Sequence, residues 1–217
     1  GDTTRTAKVG DIHAPVTISI TAMGELPQSM GLTRSGARPG DDIWVSGYVG
    51  GAWAALMHRW GKLTLDARVF PAAALAMDRP NPRNALGTAL LSSATACADI
   101  SDGLAQDLGH ILERSGVDAD VLWDAVPKHP ALAALSQEQQ VEAAMSGGDD
   151  YELVFTAPAD KRGLIEQASI SALTPVTRIG RIVEKKPSGA PLAIRDASGR
   201  PLFLPVQGFD HFAQSAD

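Results

Sequence analysis

Two carboxylates and a hydroxyl fall within four residues of one another in the stretch Cys97-Ala98-Asp99-Ile100-Ser101-Asp102-Gly103-Leu104. Hard divalent cations such as Mg²⁺ take oxygen ligands, and phosphate groups sit well at the amide-rich start of a helix. An acidic turn that opens a helix can therefore hold a hydrated cation carrying phosphates. The same residues also suit a plainer role, a helix cap beside one solvated acid. In an extended segment Asp99 and Ser101 share one side, because alternate residues of a strand do. Ser101 or Asp102 is expected to cap the helix that follows. That helix shows its period in Leu104, Leu108, Ile111 and Leu112.

A second acidic turn, Ser146-Gly147-Gly148-Asp149-Asp150-Tyr151-Glu152-Leu153, runs from a diglycine through three acids into a strand. Alone it reads as a solvated loop entering a sheet; two such turns in one domain point to a shared site. Arg79-Pro80-Asn81-Pro82-Arg83 is stiff and non-helical at its prolines. Its arginines either hold an anion or are ordinary exposed loop residues. The glycine turn Gly47-Tyr48-Val49-Gly50-Gly51 lacks the Lys-Ser/Thr ending of a phosphate loop and reads as a close-packed turn. Cys97, the single cysteine, lies in an apolar run and reads as a small buried hydrophobe, not a nucleophile. His58, His110, His129 and His211 show no paired i, i+4 ligand spacing and read as surface or packing residues.

Several elements are expected to position these groups. Val16 to Ala22 alternates apolar and polar residues as a half-buried strand does, and Ile43 to Ser46 reads as a strand leading into a helix over Ala52 to Trp60. A helix is expected from Asn84 to Ala96, a strand from Ala119 to Trp123, and helical structure from Pro130 to Ser146 broken near Ser136. Lys161 to Ala168 reads as a helix, Val176 to Val183 and Leu192 to Arg195 as strands, and Ser198-Gly199-Arg200 as a hairpin turn. Rough alternation of strands and helices gives an α/β or α+β class with a mixed β-sheet flanked by helices.

The chain has 217 residues, 44% of them hydrophobic and 20% charged, enough for a substantial core. A net charge of −6 argues against non-specific binding to nucleic acid or anionic membranes, though carboxylates bridged by divalent cations still admit nucleotides. No run of about 18 apolar residues is present. One cysteine cannot form an internal disulfide, which fits a cytoplasmic protein. The chain opens with turn residues and no initiator Met, so an N-terminal part is expected to be missing.

Seven pieces, in order and spanning nearly the whole chain, carry a resemblance. They are Gly1-Asp2-Thr3-Thr4, the loop Leu32-Thr33-Arg34-Ser35-Gly36-Ala37-Arg38-Pro39-Gly40-Asp41, Val45-Ser46-Gly47 and Arg79 to Arg83. Asp99 to Leu104, Ser146 to Leu153 and Gly208-Phe209-Asp210-His211-Phe212 complete them. Together they make the chain similar to the thiamine-monophosphate kinases, relatives of aminoimidazole ribonucleotide synthetase and selenophosphate synthetase. The resemblance implies phosphoryl transfer from ATP to thiamine monophosphate, giving thiamine diphosphate with the help of several Mg²⁺ ions. It further implies a homodimer in the full-length protein. Residues 1–34 would be a remnant of an N-terminal ATP-binding and dimerisation domain, and 35–217 the C-terminal domain of that superfamily.

Position by position, the resemblance makes Asp2, Asp99 and Asp102 metal ligands, and Gly1, Asp2, Arg34 and Ser101 contacts to ATP. Asp149 stands where the family usually has a Glu touching the thiamine substrate, and Phe209 where it often has a stacking Tyr. The stretch from Arg5 to Gln28 is longer than usual in the family and has no assigned role. Two alternatives stay open: a truncated, inactive binding domain, and another ATP-dependent enzyme of the same superfamily.

Overall fold

The computed structural model describes residues 31–202, together with Ile20, Thr21, residues 23–26 and the backbone of Lys8–Val9 and Ile12–His13. Gly1, Asp2, Phe209 and the tail motif around it lie outside the described residues, as does most of the strand expected over Val16 to Ala22. Ile20 and Thr21, its two described members, lie in no strand and are exposed. The chain divides into two compact units, Gly1–Gly31 and Leu32–Asp217. In the first, β1 (Lys8–Val9) pairs antiparallel with β2 (Ile12–His13).

The second unit is built on β3 (Asp42–Ser46), whose five residues are all buried. A strand covered on both faces needs no polar alternation, which suits the run Ile43-Trp44-Val45. After it come α1 (Gly51–Arg59), α2 (Phe70–Asp78), α3 (Asn84–Ala89) and β4 (Ala96–Ile100). Then follow α4 (Leu104–Ser115), β5 (Asp118–Leu122), α5 (Gln137–Ser146) and β6 (Glu152–Ala157). α6 (Arg162–Ser171), β7 (Val176–Val183) and β8 (Leu192–Arg195) end the described fold. The six strands lie in the order β4-β6-β3-β7-β5-β8, antiparallel throughout except for the β5–β8 pair. This is the mixed sheet with flanking helices expected from the sequence.

Two apolar layers hold the helices to the sheet. On one face Leu104, Leu108, Ile111 and Leu112 of α4 join Ala54, Ala143, Val45 and Val154 in a single core. On the other, Leu86 and Leu90 with Ile165 and Ala168 of α6 cover Trp44 and Phe155, whose rings stack 6.4 Å apart at 7°. Burying each of these large side chains contributes about 1.5–3 kcal/mol. At the end of β3 away from the acidic turns, the fully buried Asp42 carboxylate accepts hydrogen bonds from Arg162 and Arg178. Burial alone would raise its pKa; the two guanidiniums hold it below the usual carboxylate range.

One helix is shorter than expected. The segment from Asn84 ends as a helix at Ala89, and Ala96 begins β4. Alanine favours helix intrinsically, but pairing with β6 buries Ala96 and Ala98 against the core and overrides that preference.

Candidate functional site

The sheet brings three turns to one end. β3 and β4 both run antiparallel to β6, so Ser46 and Ile100 finish where Glu152 begins. The turns after β3, after β4 and before β6 are therefore neighbours. The last two are joined directly. The Asp149 amide donates to the Ser101 carbonyl at 2.9 Å, and the Tyr151 amide to the Ile100 carbonyl at 2.8 Å. Contact this close requires glycine. A Cβ on Gly148 would stand 2.7 Å from the Ser101 oxygen, and one on Gly103 would stand 2.8 Å from the Met145 oxygen. Both glycines also have positive φ, at 66° and 118°.

The first acidic turn is held from within α4. Asp107, in the first turn of that helix and 1% exposed, accepts hydrogen bonds from the Ser101 and Asp102 amides on Oδ2, at 2.9 and 3.0 Å. Gly103 occupies the cap position and no side chain caps the helix there, so the cap expected from Ser101 or Asp102 is not made. The chain turns back so that these two residues offer amides inward, leaving Asp107 as the acceptor. Burial pushes the Asp107 carboxyl up, with Asp102 and Asp99 adding, against the lowering effect of the two amides.

Outward from this scaffold stand the acids singled out in the sequence. Asp99, on β4, is exposed, and its Oδ1 lies 4.0 Å from Nη2 of Arg34. Asp102 is half-buried and accepts from the Gln106 amide at 3.2 Å. Asp149 is exposed and accepts from the Tyr151 hydroxyl at 3.2 Å. Burial raises the Tyr151 phenol, and the negative charges of Asp149, Asp99 and Asp102 raise it further, so all three carboxylates act on one hydroxyl. Arg34, Asp99, Asp102 and Asp149 thus gather on one surface, with Ser101 half-buried between the turns. Carboxylates grouped at a solvent-facing edge are acceptor-only oxygen donors, the set that a hydrated Mg²⁺ requires.

The second turn is not a simple solvated loop. Of its three acids, only Asp149 is exposed. Asp150 turns inward to accept from the Gly50 amide at 2.8 Å, at the entry to α1. Burial raises its pKa to about 7, opposed by the Gly50 and Ala52 amides and assisted by the charges of Glu152 and Asp149. Glu152 is buried and forms a bidentate pair with Arg83, while Ser46 Oγ donates to it at 2.5 Å. Arg83 is therefore neither an anion holder nor a free surface residue. It sits at the entry to α3 as the partner of a core carboxylate. Non-glycine residues with left-handed backbone, Asp149 at φ 58° and Tyr151 at φ 50°, separate the outward acid from the inward pair.

Two further groups were not singled out by sequence spacing. Asp107 had a visible signal, a carboxylate in the first turn of a helix that follows an acidic loop. His110 lies one turn further along the same helix face, and its ligand atom comes within 4.8 Å of those of Asp102 and Asp107. By contrast, His58 and His129 behave as packing residues: their Nδ1 atoms accept from the Leu65 and Ala131 amides. Cys97 packs beside the Trp44–Phe155 layer, and burial together with the Asp99 charge pushes its thiol up to about 12. It stays protonated and unreactive.

An open mixed sheet with helices on both faces, and two interlocked acidic turns at one end, defines an α/β domain built around an acidic edge. The model of the family "AIR synthase related protein, C-terminal domain" matches residues 38–191, and the chain belongs to that family. Among curated proteins, the thiamine-monophosphate kinase of Salmonella typhimurium is 38% identical over 218 residues, covering 98% of this chain and 62% of the relative. The crystal structure of thiamine-monophosphate kinase from Stenotrophomonas maltophilia is 38% identical, with a TM-score of 0.72 over 82% of this chain and 56% of that one. The structure of AaThiL complexed with AMPPCP and TMP is 28% identical, with a TM-score of 0.66 over 83% of this chain and 54% of that one. The chain thus spans between 51% and 63% of the length of these curated relatives.

Proposed function

We infer that this chain takes part in the ATP- and Mg²⁺-dependent phosphorylation of thiamine monophosphate to thiamine diphosphate. The observation that carries this reading is the gathering of Arg34, Asp99, Asp102 and Asp149 at one sheet end, on turns locked together through Ser101 and Asp149. Support comes from relatives named thiamine-monophosphate kinase and from one neighbour complexed with AMPPCP and TMP.

The acceptor in this reaction is itself a phosphate, largely ionised at neutral pH because its second pKa is about 6. No proton need be removed from it, so the site requires no general base. The obstacle is repulsion between two polyanions, roughly 4 kcal/mol per pair of unit charges at about 4 Å and an effective dielectric of 20. Asp99 and Asp102 would hold Mg²⁺, which when bound neutralises phosphate charge and fixes the line of transfer. Arg34 would add permanent positive charge beside the nucleotide, and its planar guanidinium matches phosphate oxygens. Ser101 would orient the nucleotide from the neck between the turns. Asp149, one methylene shorter than the Glu usual in the family, would face the thiamine moiety.

The direct test is formation of thiamine diphosphate from thiamine monophosphate and ATP in Mg²⁺. The full-length protein is expected to produce it, and Asp99→Asn in that protein to lose most of the turnover while keeping its fold. A folded Asp99→Asn with full turnover would contradict the assignment.

A further inference from the structure

We propose that Asp102, Asp107 and His110 form a binding site for a borderline divalent cation of the Zn²⁺ and Co²⁺ class, distinct in ligand type from a Mg²⁺ site. Their ligand atoms lie within 4.8 Å of one another, which small side-chain adjustments convert into a shared coordination sphere. Asp107 and His110 stand three residues apart on one face of α4, and Asp102 closes the triangle from the turn just before it.

A second observation points to a cation here. Asp107 is 1% exposed; its Oδ2 is saturated by the Ser101 and Asp102 amides, but its Oδ1 is buried with no hydrogen-bond partner. A buried carboxylate oxygen without a partner is unfavourable, and a cation supplies the partner it lacks. Asp102 has one oxygen engaged by Gln106 and one available.

His110 decides which cation. Mg²⁺ takes oxygen ligands and keeps its waters, so an imidazole offers it little. Zn²⁺ and Co²⁺ bind imidazole readily and lie toward the strong end of the affinity order for nitrogen-containing sites. Three protein ligands leave room for water to complete the sphere. Occupancy would draw Asp102 away from a phosphate-bearing Mg²⁺, making such metals inhibitors. That consequence rests on the kinase reading; the binding itself does not.

The test is titration of the 217-residue chain with Co²⁺ alone, read by its visible absorption. One equivalent is expected to bind with the intensity of a four- or five-coordinate ion. Losing even an outer partner of a metal ligand costs about 10–100-fold in affinity, so His110→Ala is expected to weaken binding by at least about tenfold. This variant places a good helix former in α4 and keeps the fold; Asp107→Asn gives a second comparison. Equal Co²⁺ affinity in wild type and folded His110→Ala would overturn the site. In the turnover assay, Zn²⁺ is expected to inhibit wild type, and His110→Ala to relieve that inhibition with basal Mg²⁺-supported activity unchanged. Co²⁺ binding that depends on His110 but brings no inhibition would uphold the site and count against Asp102 in the phosphate-binding set.

Discussion

The Asp149 amide donates to the Ser101 carbonyl at 2.9 Å, so two acidic turns 48 residues apart in sequence are one structural unit. Moving either turn moves the other. The contact depends on Gly148, whose positive φ and missing Cβ let the backbones meet.

Gly148→Ala is therefore expected to destabilise the protein by roughly 2–4 kcal/mol, combining left-handed backbone strain with a clash against the Ser101 oxygen. Gly109→Ala is the control. Gly109 lies inside α4, and nothing stands within 4 Å of its added Cβ. That change should stabilise by about 0.5–1 kcal/mol. Urea denaturation of both variants checks the pair of signs.

Arg83 and Glu152 form a buried pair at the base of the second turn, with side chains 17% and 7% exposed. Removing one partner strands the other. Arg83→Met is expected to cost about 3–5 kcal/mol, and adding Glu152→Gln to recover a large part of that loss. A double-mutant cycle measured by denaturant unfolding gives the coupling directly; additive single effects would contradict it.

Asp150 makes stability depend on pH in a predictable direction. Its folded pKa, near 7, lies above the value of an unfolded aspartate. Between those values the folded state holds more protons, so this group's contribution is fully present below about pH 4 and is lost as pH rises through 7. Asp150→Asn carries no titrating group there. The stability difference between wild type and Asp150→Asn should move against wild type as pH rises from 4 to 7. Parallel stability profiles across that window would show that Asp150 ionises normally.

Much of this architecture was legible in the sequence because local pattern and tertiary demand agree. Leu104, Leu108, Ile111 and Leu112 repeat at helical spacing, and all four are buried. The break expected near Ser136 falls where α5 starts, and there Ser136 and Gln139 bond reciprocally. The end of α3 was not legible, since only pairing with β6 makes Ala96 and Ala98 extended. Nor was the direction of the second turn. Asp149 and Tyr151 adopt left-handed backbone, which sends Asp149 outward and Asp150 inward, and nothing in residue type announces that. The Arg83–Glu152 pair spans 69 residues and exists only once the sheet is assembled. His110 was set aside on spacing because its neighbours in space are two acids, not another histidine.

Asp102 is the residue on which the functional account turns. It is half-buried at the lip of the first turn, and its only side-chain partner among the described residues is Gln106, so Asp102→Asn should leave the fold intact. The most direct measurement is calorimetric titration of this chain with thiamine diphosphate, with and without Mg²⁺. The account predicts Mg²⁺-dependent heat that disappears in folded Asp102→Asn. Mg²⁺-dependent binding of equal affinity in that variant would contradict it.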